Sequence, residues 1–194
     1  MSHWSSNHAE TYDEKWGELV FHQQIPALAG VSANNNIIEI GCGGGFLSLC
    51  LARSAQEVSV VGLDPTPKMI ELAEKRRLVA GLPENQLKYV QAGAEDLTVD
   101  AESIDIVVAA FSLHHWSDPD SAMSLIFDGL KQKGKIWLCE DLNAPTEGDL
   151  EVDNSLKAFE GVKQLLEKAG FVGVEKQIKT SSEGEFLIVE AIKP

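Results

Sequence analysis

The sequence predicts an α/β fold of three layers, with helices on both faces of a seven-stranded, mostly parallel sheet and an antiparallel last strand. Three observations carry that expectation. Apolar runs of strand length alternate with amphipathic stretches of helix length through most of the chain. The run 104–111 is apolar at nearly every position, as in a parallel strand covered on both sides. Two final apolar stretches, 171–179 and 185–192, face each other across Ser181, Ser182, Glu183 and Gly184, a hairpin that ends the sheet in an antiparallel edge.

In chain order, residues 1–10 are polar and suggest a mobile terminus. Trp16, Leu19, Val20 and Ile25 then suggest a helix within 12–28, or two short ones broken near Pro26. Asn34, Asn35 and Asn36 turn the chain into a first strand at 36–41. Strands follow at 58–63, 87–92, 104–110 and 134–140, with helices at 46–55, 67–80 and 118–131 between most of them, so the crossovers should be right-handed. Thr66 can cap the helix at 67–80, and Pro67 suits its first turn. A last helix from about 153 to 169 places Leu156, Phe159, Val162 and Leu166 on one face and stops at Gly170. No repeat, low-complexity tract or linker interrupts the chain. Residues 1–194 therefore read as one domain, an N-terminal helical segment (1–34) and a core (35–194).

At 194 residues, 44% apolar and 24% charged, the chain can build a core without disulfides or metal. Cys42, Cys50 and Cys139 show no paired ligand spacing and read as reduced, mostly buried thiols. A net charge of −14 repels phosphate backbones and disfavours nucleic acid as a partner. The densest basic cluster, Lys75, Arg76 and Arg77, sits beside Glu71 and Glu74 and reads as a solvated helix face. No apolar run approaches a membrane span, and the first fourteen residues hold no Lys, Arg or apolar stretch. The expected location is cytoplasmic.

The chemistry starts at 37–46, where an apolar strand containing Glu39 meets glycines at 41, 43, 44 and 45 and then an apolar helix. Glycines in such a turn accept positive φ and let a ligand lie against bare backbone, while the helix start offers free N–H groups. A dinucleotide fingerprint needs its third glycine three residues after the second, and Phe46 occupies that position. The glycines read G-x-G-x-G instead. Ligands of open parallel sheets bind beyond the carboxyl ends of the strands. Asp64 closes the second strand, where a carboxylate can accept both ribose hydroxyls of a nucleoside; the alternative is an acid serving the next helix N-terminus.

In order and spacing, 37–45, 60–69, 91–97 and 104–119 resemble the successive motifs of class I S-adenosylmethionine-dependent methyltransferases, in the small-molecule branch that includes the ubiquinone and menaquinone C-methyltransferases. The resemblance covers roughly 35–142 and implies a Rossmann-like core that uses S-adenosyl-L-methionine and releases S-adenosyl-L-homocysteine. It implies that the backbone at Gly41, Cys42 and Gly43, in the turn completed by Gly45, meets the methionine part. Glu39 would order that loop or reach the amino group through water, and Asp64 would bind the ribose. Pro65 and Met69 would line the adenine face, Gly93, Ala94 and Glu95 its edge, and Ala110 and Phe111 would pass beneath the methionine. Met69 and Phe111 could equally be core. Where Gly93 stands the family commonly has an acid, so either Glu95 or Asp96 substitutes or backbone and stacking hold the adenine. Residues 8–16 resemble the tyrosine-bearing segment before the core, which would make Tyr12 and Trp16 part of a lid; the alternative is a helix packed on the sheet. The stretch 142–152 is too short to form a cover of its own.

Alignment and exclusion of water supply most of the rate of methyl transfer at a sulfonium, and only an acceptor that loses a proton needs a base. His114 and His115, just past the fourth strand, are the candidate catalytic bases; adjacent residues diverge, so one of them at most should face the methyl group, and a structural pair is the alternative. A metal held by Asp118, Glu140 or Asp141 is a weaker reading, and no metal is expected. The whole set reads as a methyltransferase acting on a small molecule, as a monomer or homodimer, with O, N, C and S acceptors all open. The rival is a non-catalytic S-adenosylmethionine-binding or scaffold protein of the same fold.

Overall fold

Seven strands form one sheet in the computed structural model of the chain, which describes residues 4–142 and 154–194. They are β1 (Asn36–Ile40), β2 (Ser59–Asp64), β3 (Leu87–Gln91), β4 (Ile104–Ala110), β5 (Leu130–Asp141), β6 (Val172–Ser181) and β7 (Gly184–Ile192), in the order β3-β2-β1-β4-β5-β7-β6. The first five are parallel, and β7 pairs antiparallel with both β5 and β6. The terminal hairpin folds back so that β7 joins the parallel strands and the mostly exposed β6 takes the edge. Strand order reverses between β1 and β4, which opens a crevice at their carboxyl ends.

Period-two alternation between two cores explains why the central strands are apolar at most positions, Glu39 and Asp105 apart. Ile38, Ile40, Val107 and Ala109 point into one core with Met123, Ile126 and Leu166 of the helices α5 (Pro119–Gly129) and α6 (Phe159–Ala169). Ile37, Ile106 and Val108 point into the other core with Leu47 and Leu51 of α3 (Phe46–Arg53) and with Phe21 and Ile25. The helix α4 (Pro67–Val79) follows β2 and buries Met69 and Ala73.

Several boundaries depart from the sequence expectation, among them the start of the last helix, since α6 begins only at Phe159 and Leu156 lies in a separate 3-10 turn over Asn154–Lys157. A helix, which we label α1 (Ser6–Trp16), starts inside the stretch that reads as a polar, mobile terminus, because Ser5 caps it by accepting from the His8 amide at 3.3 Å. The chain breaks after Trp16, well before Pro26. It continues as a 3-10 turn over Val20–Gln24 and one helical turn, α2 (Ile25–Leu28), and the Glu183 carboxylate of the terminal hairpin accepts from the amides of Val20 and Phe21, each at 2.8 Å. β5 begins four residues early, with an irregularity at the β4 pairing between Ile104 and Ile106 and a left-handed Lys133 (φ 62°). Residues 143–153, and with them the length of the connection after β5, lie outside the described residues. Among the described residues no helix is long and apolar enough to cross a membrane.

Candidate functional site

The crevice is a cavity of about 150 Å³ bounded by the glycine turn, the ends of β2 and β4, the turn after β3, and the N-terminal segment. Gly41, Gly43 and Gly45 take φ of 76°, 49° and 81°, a region that side chains other than glycine adopt at a cost. A Cβ at Gly41 would overlap Ser112, and one at Gly45 would meet the Ala73 Cβ at 2.8 Å. Gly41, Cys42 and Gly43 line the cavity; Gly45 does not and is held against Tyr89, whose hydroxyl donates to its carbonyl at 3.0 Å. The amides at 41–43 are not free, contrary to the simplest reading of such a loop. Those of Gly41 and Cys42 donate to the Leu63 carbonyl (2.7 and 2.9 Å), and that of Gly43 donates to Asp64 Oδ2 at 3.0 Å.

Two buried carboxylates stand behind this turn. Burial pushes Glu39 up to about 8, and neighbouring Asp64 adds to the shift against a hydrogen bond that Ser48 Oγ donates. Asp64, also raised by burial, accepts from the Thr66 amide at 2.8 Å as well as from Gly43, so it braces the start of α4 and the glycine turn together. Each oxygen retains a second lone pair for a ligand. Pro65, Met69, Gly93, Ala94 and Glu95 complete this end of the cavity. Asp96 turns back to accept from the Gly93 amide at 3.3 Å, which leaves Glu95 as the acid that lines the cavity.

At the end of β4, Ala110 and Phe111 line the cavity. Phe111 has φ 58°, left-handed backbone that is costly for an aromatic residue and is held by a 2.7 Å hydrogen bond from its amide to the Cys139 carbonyl. The adjacent histidines diverge. His114 does not line the cavity; its Nδ1 lies 2.6 Å from Glu140 Oε2. His115 lines it, with burial holding its pKa at about 4 and its Nδ1 without a partner. Among the described residues no cluster of three or more His, Cys, Asp or Glu could hold a metal, and Asp118 is engaged with Ser121.

The N-terminal segment supplies the remaining wall. Tyr12 and Trp16 line the cavity, as does Trp4, whose ring lies 4.5 Å from that of Tyr12 and 6.3 Å from that of His115. Arg76 overturns the reading of its cluster as a solvated helix face. Its guanidinium donates to the Gly44 carbonyl, to Asp13 (3.2 Å) and to Glu18 (3.2 Å), joining α1 to the glycine turn. Arg77 is buried against Glu74 and the Leu82 carbonyl. Sequence reasoning also missed Trp4, Asp13, His22, Ser112 and Trp116 as lining residues. A signal for the first existed: Trp4, His8, Tyr12 and Trp16 recur every fourth residue, the spacing of one helix face.

Residues 38–138 match the family described as methyltransferase domain. The chain is 30% identical over 135 residues to the ubiquinone/menaquinone biosynthesis C-methyltransferase UbiE of Rickettsia prowazekii, covering 68% of this chain and 52% of that protein. It is 28% identical over 189 residues to an uncharacterized methyltransferase of Synechocystis, covering 90% of this chain and 84% of that one. The chain spans about half the length of UbiE and of several other curated relatives it matches. In fold it is similar to a SAM-dependent methyltransferase from Aquifex aeolicus, with a TM-score of 0.80 at 17% identity over 98% of this chain and 100% of that one.

Proposed function

Because the chain belongs to the methyltransferase domain family, we propose that it transfers a methyl group from S-adenosyl-L-methionine to a small-molecule acceptor. The observation that carries this reading is the joint at Asp64: a buried carboxylate with lone pairs to spare, bonded to the glycine turn on one side and to α4 on the other. The residues fit the cofactor. Asp64 would accept from the ribose hydroxyls, Pro65 and Met69 would flank the adenine, and Glu95 would take the place of the acid that Gly93 lacks. Glu39, close to neutral in the free protein, would ionise opposite the cofactor's ammonium group. Bound there, S-adenosyl-L-methionine supplies an electrophilic methyl group on a sulfonium.

What remains for the chain is to align and to exclude water. Trp4, Tyr12 and Trp16 would do the latter as a lid. Of the two histidines, His115 is the one that would take a proton from an acceptor that loses one, while His114 serves Glu140. Relatives named for ubiquinone, menaquinone and rifamycin compounds support a small-molecule acceptor, and the charge of −14 argues against nucleic acid. The reading places the protein in the cytoplasm, as a monomer or homodimer.

Calorimetry on the pure protein tests the cofactor: S-adenosylhomocysteine should bind and NAD should not, and the reverse result would overturn the reading. Incubation with S-adenosylmethionine and fractions of cell extract should then release S-adenosylhomocysteine, a turnover that a scaffold would not show.

A further inference from the structure

The sheet ends in two edges, β3 and β6, and they differ in length. β3 has five residues, and a short edge is one way a fold discourages further pairing. β6 has ten, is mostly exposed, and pairs only with β7 among the described residues, so the amides and carbonyls along its outer side have no backbone partner. After the irregularity between Val172 and Glu175, residues 175–181 pair one for one with β7. By alternation Glu175, Gln177 and Lys179 share one face of the strand. Lys176 and Ile178 share the other, where Lys176 Nζ lies 4.6 Å from the centre of the Phe159 ring of α6 and Ile178 is exposed.

The charges on the first face are unmatched within the chain. Glu175 stands opposite Glu190, whose carboxylate Lys135 takes at 3.1 Å, and among the described residues neither Glu175 nor Lys179 has an ion-pair partner. Like charges directly opposite each other are destabilising. A strand of the same sequence can supply the missing partners, in one register only. When two copies of β6 pair antiparallel about a two-fold axis normal to the sheet, opposed residues lie on the same face, so the pairing is centred on one residue that meets its own counterpart. Centring on Glu175, Lys176 or Lys179 opposes like charges, and centring on Ile178 or Thr180 pairs no charges. Centring on Gln177 sets each Glu175 opposite Lys179 of the other copy. We propose that β6 is a dimer interface: two copies of the chain join edge to edge, antiparallel about Gln177, into one continuous sheet with two Glu175–Lys179 pairs across the seam. The edge suits a second copy, since β6 holds two lysines and one glutamate in a chain of net charge −14. This interface sets the oligomeric state and does not depend on the cofactor.

Sedimentation equilibrium on the whole chain tests it. An edge of this length buries less than a standard interface, so the dimer should dissociate at about 10 to 100 μM. Glu175→Lys and Lys179→Glu should each weaken it about tenfold, because each turns two opposite-charge pairs into two like-charge pairs, and the double variant should restore it. Gln177→Cys, opposite its own counterpart, should form a disulfide-linked dimer on mild oxidation, whereas Thr180→Cys, about 20 Å from its counterpart, should not. The proposal is overturned if the chain stays monomeric up to about 1 mM, or if the single reversals leave the dimer as tight as before. It is overturned too if the double variant associates no better than the single ones, or if Thr180→Cys cross-links and Gln177→Cys does not.

Discussion

Both oxygens of Asp64 already accept from backbone amides, Thr66 on one side and Gly43 on the other. The helix-terminal and ribose-binding roles that the sequence offers as alternatives are therefore compatible in one carboxylate, because a carboxylate has four acceptor positions and the backbone uses two. Asp64→Ala should cost the unliganded protein about 1 to 3 kcal/mol by leaving two amides unpaired, and should weaken S-adenosylhomocysteine binding by about 1.5 to 3 kcal/mol more. Denaturant unfolding and calorimetry read the two losses separately; an affinity loss with full stability would mean that the amides find other partners. The acid at the strand end was legible from the sequence. Its bond to Gly43, 21 residues away, was not, since that contact depends on the dihedral angles of the glycine turn.

At the scale of elements, the pairing of α1 with the glycine turn rests on Arg76, which reaches Asp13, Glu18 and the Gly44 carbonyl at once. Local spacing assigns Arg76 to a charged helix face, because its partners lie 32 and more residues away and leave no local periodicity. The cap at Ser5 and the aromatic recurrence at every fourth residue were legible signals, masked by the polar composition around them. Arg76→Met leaves the Asp13 carboxylate and a loop carbonyl without their donor. It should weaken S-adenosylhomocysteine binding about five- to tenfold and hasten protease cleavage near Tyr12. Arg76→Lys should recover only part of this, since an ammonium cannot reproduce the planar fork that spans three acceptors. Full recovery by lysine, or cleavage unchanged in Arg76→Met, would show that α1 is held by its apolar contacts instead.

Across the whole molecule, the sheet was the most legible feature, because strands covered on both faces must be apolar at successive positions, as Ile37, Ile38 and 106–109 are. The placement of β7 between β5 and β6 was not, since a hairpin alone does not say which of its strands pairs inward. The same burial that makes the core also buries ionisable groups, and their shifts give stability a shape in pH. His22 and His115 keep pKa values of about 4 in the fold against 6.5 in the unfolded chain, so as pH falls from 6.5 the unfolded chain takes up protons first and stability drops. Glu39 acts in the other direction. Its folded value of about 8 against 4.5 means that stability is fullest below pH 4.5 and is lost as pH rises to 8, because the unfolded chain releases a proton that the fold retains. Between 4.5 and 6.5 two histidines outweigh one glutamate; above 6.5 the glutamate leads, joined toward pH 9 by Cys42, Cys50 and Cys139, whose thiols burial also raises. Tm should therefore peak near neutrality and decline by pH 8.5, with Glu39 costing about 2 kcal/mol over that alkaline limb at about 1.4 kcal/mol per proton and pH unit. Repulsion within a chain of charge −14 adds to the decline but is nearly the same in Glu39→Gln, so the difference between the two profiles isolates the carboxylate. Glu39→Gln should flatten the alkaline limb and leave the acid limb to the histidines; two parallel profiles would mean that Glu39 is ionised in the fold at neutral pH.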